Sequence, residues 1–199
     1  MKLERHDGHE LIGLARECID EALRLRTLPP RPRRDYRPVL LQPRSAFVTL
    51  WAREHLRGCC GSIEATRSLA EEVWQDAWAS AFRDPRFPPL SATEWPTVHL
   101  HVSVLEPPRA IQFASEQELI ARLRPGIDGL IVECHGARAT FLPSVWEHIE
   151  DPSEFVRQLK TKAGWPADFW SPDLRASIYA VEEFDEAADD RLVSERIPL

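Results

Sequence analysis

The order of predicted strands and helices along the chain constrains the fold more than any other feature of the sequence. Alternation of apolar and polar residues, together with β-branched and aromatic content, predicts strands at residues 46–51, 56–63, 98–105, 129–134, 137–142 and 174–184. Several of these strands follow one another with no helix between them, unlike the strict alternation of a doubly wound parallel sheet. The sequence therefore predicts an α+β fold with a mixed, largely antiparallel sheet and flanking helices.

Apolar residues spaced three and four apart predict two long amphipathic helices. The first covers about residues 9–26, and the second begins near Leu69 and stops at Pro85, because the residue before a proline resists the helical conformation. Shorter helices are expected at residues 115–123, 144–149 and 151–163. Each of these helices has a residue pair at its start with the capping spacing: Asp7/Glu10, Ser68/Glu71, Ser115/Glu118, Ser144/Glu147 and Asp151/Glu154.

Two short turns predict hairpins between neighbouring strands. Residues 52–55 close the first hairpin, and His135-Gly136 closes the second. Glycine suits the second turn because it adopts a positive φ without steric cost.

A connector rich in arginine and proline follows the first helix. Between Arg24 and Arg37 the chain carries six arginines together with Pro29, Pro30 and Pro32, and we expect an extended path over about residues 27–44. Solvation explains such a charge run, and a site for phosphate or an acidic partner is the alternative. RNA-linked chemistry through this segment is a weaker hypothesis, which requires RNA binding that falls steeply with salt.

The residues after Phe184 differ in composition from the rest of the chain. Their acidic character predicts a mobile tail over residues 185–199. A length of 199 residues with 43% hydrophobic content is enough to fill a core. We therefore expect one domain over residues 1–184.

Charge and cysteine content disfavour several classes of function. Acidic residues outnumber basic ones by 32 to 25, and the net charge of -7 makes DNA binding unexpected. We find no signal-peptide hydrophobic region, and no apolar run approaches the ~20 residues that cross a bilayer. Cys59 and Cys60 are adjacent, while Cys18 and Cys134 lie far off, which favours reduced thiols in a cytoplasm.

The segment Leu-Arg-Gly-Cys-Cys-Gly, which contains Cys59, is the best candidate for chemistry. Period-two alternation puts Arg57 and Cys59 on one face of a strand and Cys60, expected to be a core thiol, on the other. A guanidinium beside a thiol favours the reactive thiolate, and Gly58 and Gly61 let a substrate or another backbone approach closely. Because cysteine is also commonly buried, an inert, packed Cys59 is the alternative.

Three further side chains have both a functional and a structural interpretation. Asp84 and Arg86 lie on a proline-stiffened loop, where they either anchor a substrate or pair with each other to hold the loop. Glu64 acts as a general base if it reaches Cys59, and is otherwise a solvent-facing carboxylate.

His99 and His101 project from one face of a strand, at a spacing that metal sites use. The sequence offers no clear third and fourth ligand, so we expect no metal site and no intrinsic cofactor. There is also no glycine-rich phosphate loop, no nucleophile-elbow serine and no paired-cysteine zinc pattern, which disfavours those enzyme classes.

A series of short motifs extends over nearly the whole chain. In order they are Ala46-Phe47-Val48-Thr49-Leu50, Leu56-Arg57-Gly58-Cys59 with Gly61-Ser62 and Glu64, Asp84-Pro85-Arg86-Phe87-Pro88-Pro89, Ser103-Val104-Leu105, Pro125-Gly126-Ile127-Asp128-Gly129 and Phe141-Leu142-Pro143-Ser144-Val145-Trp146. This series resembles the AMMECR domain family, whose prokaryotic members are called AmmeMemoRadiSam system protein A.

The resemblance implies an α+β fold of two interlocked subdomains with a groove between them, lined by the cysteine motif. It implies a site at Arg57, Cys59 and Glu64 with Asp84 and Arg86 nearby, but no known reaction. Prokaryotic relatives are often encoded with a Memo-like protein and a radical S-adenosylmethionine protein. The resemblance therefore implies a shared modification pathway in which those proteins are partners.

Two hypotheses of function follow. In the first, the protein works in that pathway with Cys59 as a thiolate nucleophile or covalent anchor, and Arg57 stabilises negative charge. In the second, the groove is a non-catalytic binding or adaptor module that recognises a protein, peptide or nucleotide, with Cys59 packed at its floor. A reactive Cys59 favours the enzyme, whereas a partner that still binds a Cys59→Ala variant without turnover favours the module.

Overall fold

The computed structural model describes residues 2–186, which belong to two compact units. Of the described residues, 2–104 and 182–186 belong to the first unit and Leu105–Val181 to the second. The helices and strands in chain order are α1 (Arg5–Leu25), β1 (Ala46–Ala52), β2 (His55–Gly61), α2 (Leu69–Phe82), β3 (Val98–Leu105), β4 (Arg109–Ile111), α3 (Glu116–Ala121), β5 (Gly129–Cys134), β6 (Ala137–Phe141), α4 (Pro152–Lys162), β7 (Arg175–Tyr179) and β8 (Val181–Asp185).

The first unit contains a four-stranded sheet in the order β2-β1-β3-β8. β1 pairs antiparallel with both β2 and β3, so β2 lies at the edge of the sheet. Helix α2 contacts β1, β2 and α1, because its apolar stripe meets buried side chains of β1. The core therefore lies on the α2 face of the sheet, and Thr49 and the other alternate residues of β1 face away from it.

The second unit has its own sheet and its own core. Its four strands follow the order β4-β7-β5-β6, and each neighbouring pair is antiparallel. Phe155 of α4 stacks on Trp146 with ring centroids 3.8 Å apart at the centre of this core. Lys160 is buried there and donates to Glu116 at 2.9 Å, so the buried ammonium has a counter-ion.

The α+β fold class is confirmed, and the structure corrects its details. The segment predicted as one strand over residues 174–184 is two strands, β7 and β8, which belong to different sheets. Strand β4 was not predicted, since three residues are too few to show alternation. The tail was predicted over residues 185–199, but Asp185 is the last residue of β8; residues 187–199 lie outside the described residues.

The predicted helix starts have mixed outcomes. Ser115 and Asp151 accept hydrogen bonds from the N–H groups of Glu118 and Glu154, as the capping spacing predicts. Ser68 occupies the N-cap of α2, but its side chain accepts no capping hydrogen bond. The other two starts are wrong. Helix α1 begins earlier, with Glu4 at its N-cap, and the segment predicted as a helix over residues 144–149 is a 3-10 turn that begins at a proline, Pro143–Glu147.

Both predicted hairpins are confirmed. Ala52 pairs with His55 across the first turn, where Arg53 has a φ of 57°. Cys134 pairs with Ala137 across the second, where His135 and Gly136 both have positive φ. Over residues 2–186, no helix has both the length and the apolar character that a bilayer crossing needs.

Candidate functional site

Strand β2 carries the cysteine motif, and its pairing with β1 is irregular at Arg57. Gly58 lies opposite Leu50 and Leu56 lies opposite Trp51, so Arg57 is an extra residue between two paired positions. An extra residue in one strand is a β-bulge, which interrupts the alternation of faces. The prediction that Arg57 and Cys59 share one face assumed regular alternation, and that assumption does not hold here.

The two glycines of the motif are surrounded by the protein's own backbone. A Cβ at Gly58 would lie 2.1 Å from the carbonyl oxygen of Ser80 in α2, and a Cβ at Gly61 would lie 2.3 Å from the carbonyl oxygen of Ala46. The hydroxyl of Ser80 also accepts from the N–H of Cys60 at 2.7 Å and donates to Val48 of β1 at 2.7 Å. Gly58 thus lets the end of α2 pack directly on β2.

Asp84 and Arg86 bind the free edge of β2, and we call them the edge pair. The N–H of Cys59 donates to Asp84 Oδ2 at 2.9 Å, and Arg86 donates to the carbonyl oxygen of Cys59 at 3.3 Å. The two side chains also bind each other at 2.7 and 2.9 Å. Together they satisfy one backbone donor and one acceptor that a neighbouring strand would otherwise pair.

The charge of Asp84 is stabilised by its surroundings although its side chain is buried. The Arg86 guanidinium, and then the N–H of Cys59, hold the pKa of the Asp84 carboxyl well below its usual range. This carboxylate is therefore ionised at any physiological pH. Asp84 and Arg86 thus lie near Cys59, as expected, and their side chains bind the backbone N–H and carbonyl oxygen of Cys59.

The thiol of Cys59 is half-buried and has a hydroxyl partner. Thr49 lies directly opposite Cys59 in the register of β1 and β2, and its Oγ1 donates to Cys59 Sγ at 3.3 Å. The Thr49 hydroxyl thus supplies a hydrogen-bond donor at this sulfur. Thr49 was not among the predicted site residues, although the confirmed hairpin register would have placed it opposite Cys59.

The guanidinium of Arg57 is directed to other groups. It is buried, binds both carboxylate oxygens of Glu94 and donates to the carbonyl oxygen of Pro88 at 2.9 Å. Its hydrogen bonds hold the pKa of Glu94 below the ordinary value. Arg86 is thus the arginine that hydrogen-bonds Cys59, and Arg57 connects the bulge of β2 to the loop before β3.

The other three cysteines have thiols that are buried or that are harder to ionise than an ordinary thiol. Cys18 is buried and donates to the carbonyl oxygen of Trp74, and burial raises its pKa to about 12. Burial also raises the pKa of Cys60, but its side chain is half-buried like that of Cys59, so the prediction of a core thiol is wrong. Cys134 is buried in the second unit. Cys59 and Cys60 both have a hydroxyl beside the sulfur, Thr49 for Cys59 and Ser80 for Cys60, where burial outweighs it.

Glu64, His99 and His101 lie outside the contacts described so far. Glu64 is exposed on the turn after β2, where its N–H donates to Ser62 Oγ at 3.0 Å. His99 is exposed on β3, and His101 lies 3.3 Å from Asp185 of β8. Within residues 2–186 no cluster of three or more His, Cys, Asp or Glu side chains is arranged to hold a metal ion.

Comparisons with known proteins agree with one another. A family model described as AMMECR1 matches residues 12–184. A protein from Methanothermobacter thermautotrophicus is 38% identical over 190 residues, which cover 92% of this chain and 96% of the relative. Protein MK0488 from Methanopyrus kandleri is 32% identical over 208 aligned positions, which cover 98% of this chain and 96% of the relative. The crystal structure of the uncharacterized protein PH0010 from Pyrococcus horikoshii matches with a TM-score of 0.82 at 34% identity, over 94% of each chain.

Proposed function

This chain belongs to the AMMECR1 family, and from that premise we propose that it works in a modification pathway in which Cys59 is the reacting thiol. A Memo-like protein and a radical S-adenosylmethionine protein are the proposed partners, and they supply whatever cofactor the pathway needs. The chain itself acts without an intrinsic cofactor, in the cytoplasm, where its four cysteines stay reduced.

One observation carries this proposal, namely the hydrogen bond from Thr49 to the Cys59 sulfur. It places a hydroxyl donor at this half-exposed sulfur, whereas burial disfavours the charged form of Cys18 and of Cys60. A thiol that is half-exposed on a sheet can attack the acyl carbon of an activated substrate and hold the acyl group as a thioester, while the alkoxide or phosphate of the substrate leaves and the thiol proton passes to solvent.

The neighbouring residues act as positioning residues in this proposal. The edge pair fixes the backbone of Cys59 on both its N–H and its carbonyl oxygen. Arg86 also places a positive charge beside the residue, which is the role that the sequence had suggested for Arg57. Arg57 and Glu94 stabilise the bulge that precedes Cys59.

The test is the alkylation rate of each cysteine as a function of pH, resolved by mass spectrometry. We expect Cys59 to react faster than Cys60, Cys18 and Cys134 at pH 7, because burial disfavours the thiolates of Cys18 and Cys60 and hides Cys134. Thr49→Val keeps the side-chain shape and removes the donor, and we expect it to slow Cys59 roughly tenfold at pH 7, since a hydrogen bond to a charged group is worth about 1.5 kcal/mol or more.

Thr66→Val is the matched control, because Thr66 is exposed on the turn after β2. This control should leave the reactivity of Cys59 unchanged. Two results would show that Cys59 is not the reacting thiol. One is alkylation of Cys59 at the same rate as Cys60 throughout the pH range, and the other is an unchanged alkylation rate of Cys59 in Thr49→Val.

A binding module is the second candidate function, and the hydrogen bonds around Cys59 favour it. Asp84, Arg86 and Arg57 all have structural partners, and Gly58 faces α2, so the surface beside Cys59 is held rigid, as in preformed binding sites. Under this alternative a Cys59→Ala variant binds the Memo-like protein as tightly as the parent. A covalent adduct that forms on Cys59 of the parent and is lost in Cys59→Ala would select the enzyme, whereas retained binding with no adduct on either protein would select the module.

A further inference from the structure

The arginine-rich connector borders a cavity of about 730 Å³ in the first unit, which we call the connector cavity. Residues 28–36 form one side of it, and Glu71, Trp74 and Gln75 of α2 form the other, with Leu41 at its margin. Small-molecule sites in proteins range over about 300–1,000 Å³. The connector cavity has the size of such a site.

The wall of the connector cavity is held in place before any ligand arrives. Trp74 Nε1 donates to the carbonyl oxygen of Pro29 at 2.8 Å and ties the connector to α2. The hydroxyl of Tyr36 donates to the carbonyl oxygen of Pro32 at 3.0 Å. Prolines restrict φ, so this segment loses little entropy when it binds a ligand.

Three arginines of the connector line the cavity. The guanidinium carbons of Arg31 and Arg34 lie 4.6 and 5.3 Å from the centroid of the Tyr36 ring, so one aromatic ring holds two guanidinium groups together. Arg34 pairs with Glu17 at 3.0 Å. Within residues 2–186, Arg31 and Arg33 have no carboxylate partner, and Nη1 of Arg31 is buried without a hydrogen bond.

We propose that the connector cavity binds a nucleoside phosphate. Guanidinium groups form bidentate hydrogen bonds with phosphate oxygens, and Arg31 and Arg33 are available to do so. Asp35, Glu71 and Gln75 add acceptors for hydroxyl and amino groups of a sugar and base. The exposed apolar side chains of Leu28 and Leu41 offer contact area for the flat face of a base.

A small nucleotide suits this cavity better than a longer polyanion. The chain carries a net charge of -7, which repels an extended nucleic acid or an acidic protein surface. The two carboxylates on the cavity wall, Asp35 and Glu71, would repel the repeated negative charges of such partners. A single nucleotide can direct its phosphates to the arginines and its neutral groups to the carboxylates.

The test is isothermal titration of the full chain with ADP, adenosine and inorganic diphosphate at low ionic strength. We expect ADP to bind most tightly, diphosphate to bind more weakly at the same site and compete with ADP, and adenosine to bind at least tenfold more weakly than ADP. Arg31→Gln and Arg33→Gln should each weaken ADP binding about tenfold.

Two variants serve as controls. Arg122→Gln changes the charge by the same amount on an exposed residue at the end of α3 in the second unit, and should change ADP affinity less than twofold. Cys59→Ala should bind ADP like the parent, which separates this inference from the proposed thiol chemistry. Circular dichroism of each variant checks that the fold is retained.

Several outcomes would overturn the inference. They are the absence of ADP binding at millimolar concentration, adenosine binding as tight as that of ADP, and an equal loss of affinity in Arg122→Gln and Arg31→Gln. Binding of an acidic peptide or of single-stranded RNA without binding of ADP would assign the cavity to a different class of partner.

Discussion

An acidic pair on α2, of which Glu72 is buried and Asp76 is half-buried, should limit the stability of the protein at neutral and alkaline pH. Glu72 and Asp76 are one helical turn apart, and the Glu72 side chain is 1% exposed. Arg67 donates to one oxygen of Glu72 at 3.0 Å. Glu72 Oε1 and Asp76 Oδ2 are buried and have no hydrogen-bond partner within residues 2–186. Burial, and secondarily the charge of Glu72, raises the pKa of Asp76 to about 8.

The sign and size of the effect follow from proton linkage. An aspartate in the unfolded chain has a pKa of about 4, so between pH 4 and pH 8 the folded protein holds a proton that the unfolded chain has lost. The free energy of unfolding therefore falls as pH rises, by up to about 1.4 kcal/mol per pH unit. Summed from pH 4 to pH 8, the loss of unfolding free energy has an upper bound of about 6 kcal/mol. Local relaxation around Asp76 reduces this loss, and we expect it to be about 2 kcal/mol at pH 8.

Asp76→Asn tests this reasoning because asparagine has the shape of the protonated acid and cannot ionise. Urea unfolding of the parent and the variant from pH 5 to pH 9 should show a variant that is more stable above pH 6. The advantage should grow with pH and level off above pH 8. Asp168→Asn, at an exposed position in the second unit, is the control and should follow the parent. A variant with the same pH slope as the parent, or with lower stability at pH 8, would refute the reasoning.

Further predictions concern the edge pair and the packing of glycines. Asp84→Asn should lower the free energy of unfolding by about 1–2 kcal/mol at pH 7. Because the folded pKa of Asp84 is depressed, its contribution is lost as pH falls below about 4, and the two unfolding curves should converge in acid. Gly58→Ala should destabilise by about 3 kcal/mol or more, since its Cβ would meet Ser80. Gly13 lies in α1 with open space around its Cα, so an alanine fits there. Because alanine favours the helix over glycine by up to about 1 kcal/mol, Gly13→Ala should raise the midpoint of thermal unfolding. Equal effects of the two glycine substitutions would contradict the packing argument.

Local patterns were enough to find most elements of both units. The apolar stripe of α2 and the alternation of β3 are each formed by residues that are close together in the chain. Both patterns can therefore be recognised in the sequence alone. The hairpin at His135-Gly136 was equally local, because positive φ is a property of the turn residues themselves. The start of α1 was missed, since Asp7 accepts from the N–H of Glu4 inside the first turn and does not precede it.

The candidate site shows the limit of local reasoning. The motif identified Cys59, Asp84 and Arg86, and the structure places them together. It did not identify Thr49, whose contact depends on strand register, or the pairing of Arg57 with Glu94, which lie 37 residues apart. Arg57 is itself the bulged residue of β2, and the bulge changes the direction of its side chain. No periodic pattern in the sequence indicates where the bulge lies.

The sequence by itself therefore determined the family, the α+β class and the residues at the centre of the site. Periodicity, turn chemistry and a set of ordered motifs are all written in short stretches of chain. Only the tertiary structure decided which guanidinium hydrogen-bonds Cys59 and which glycine faces a helix. The physical reason is that hydrogen bonds and close packing between distant segments depend on register and on loop paths, which depend on the packing of the whole unit.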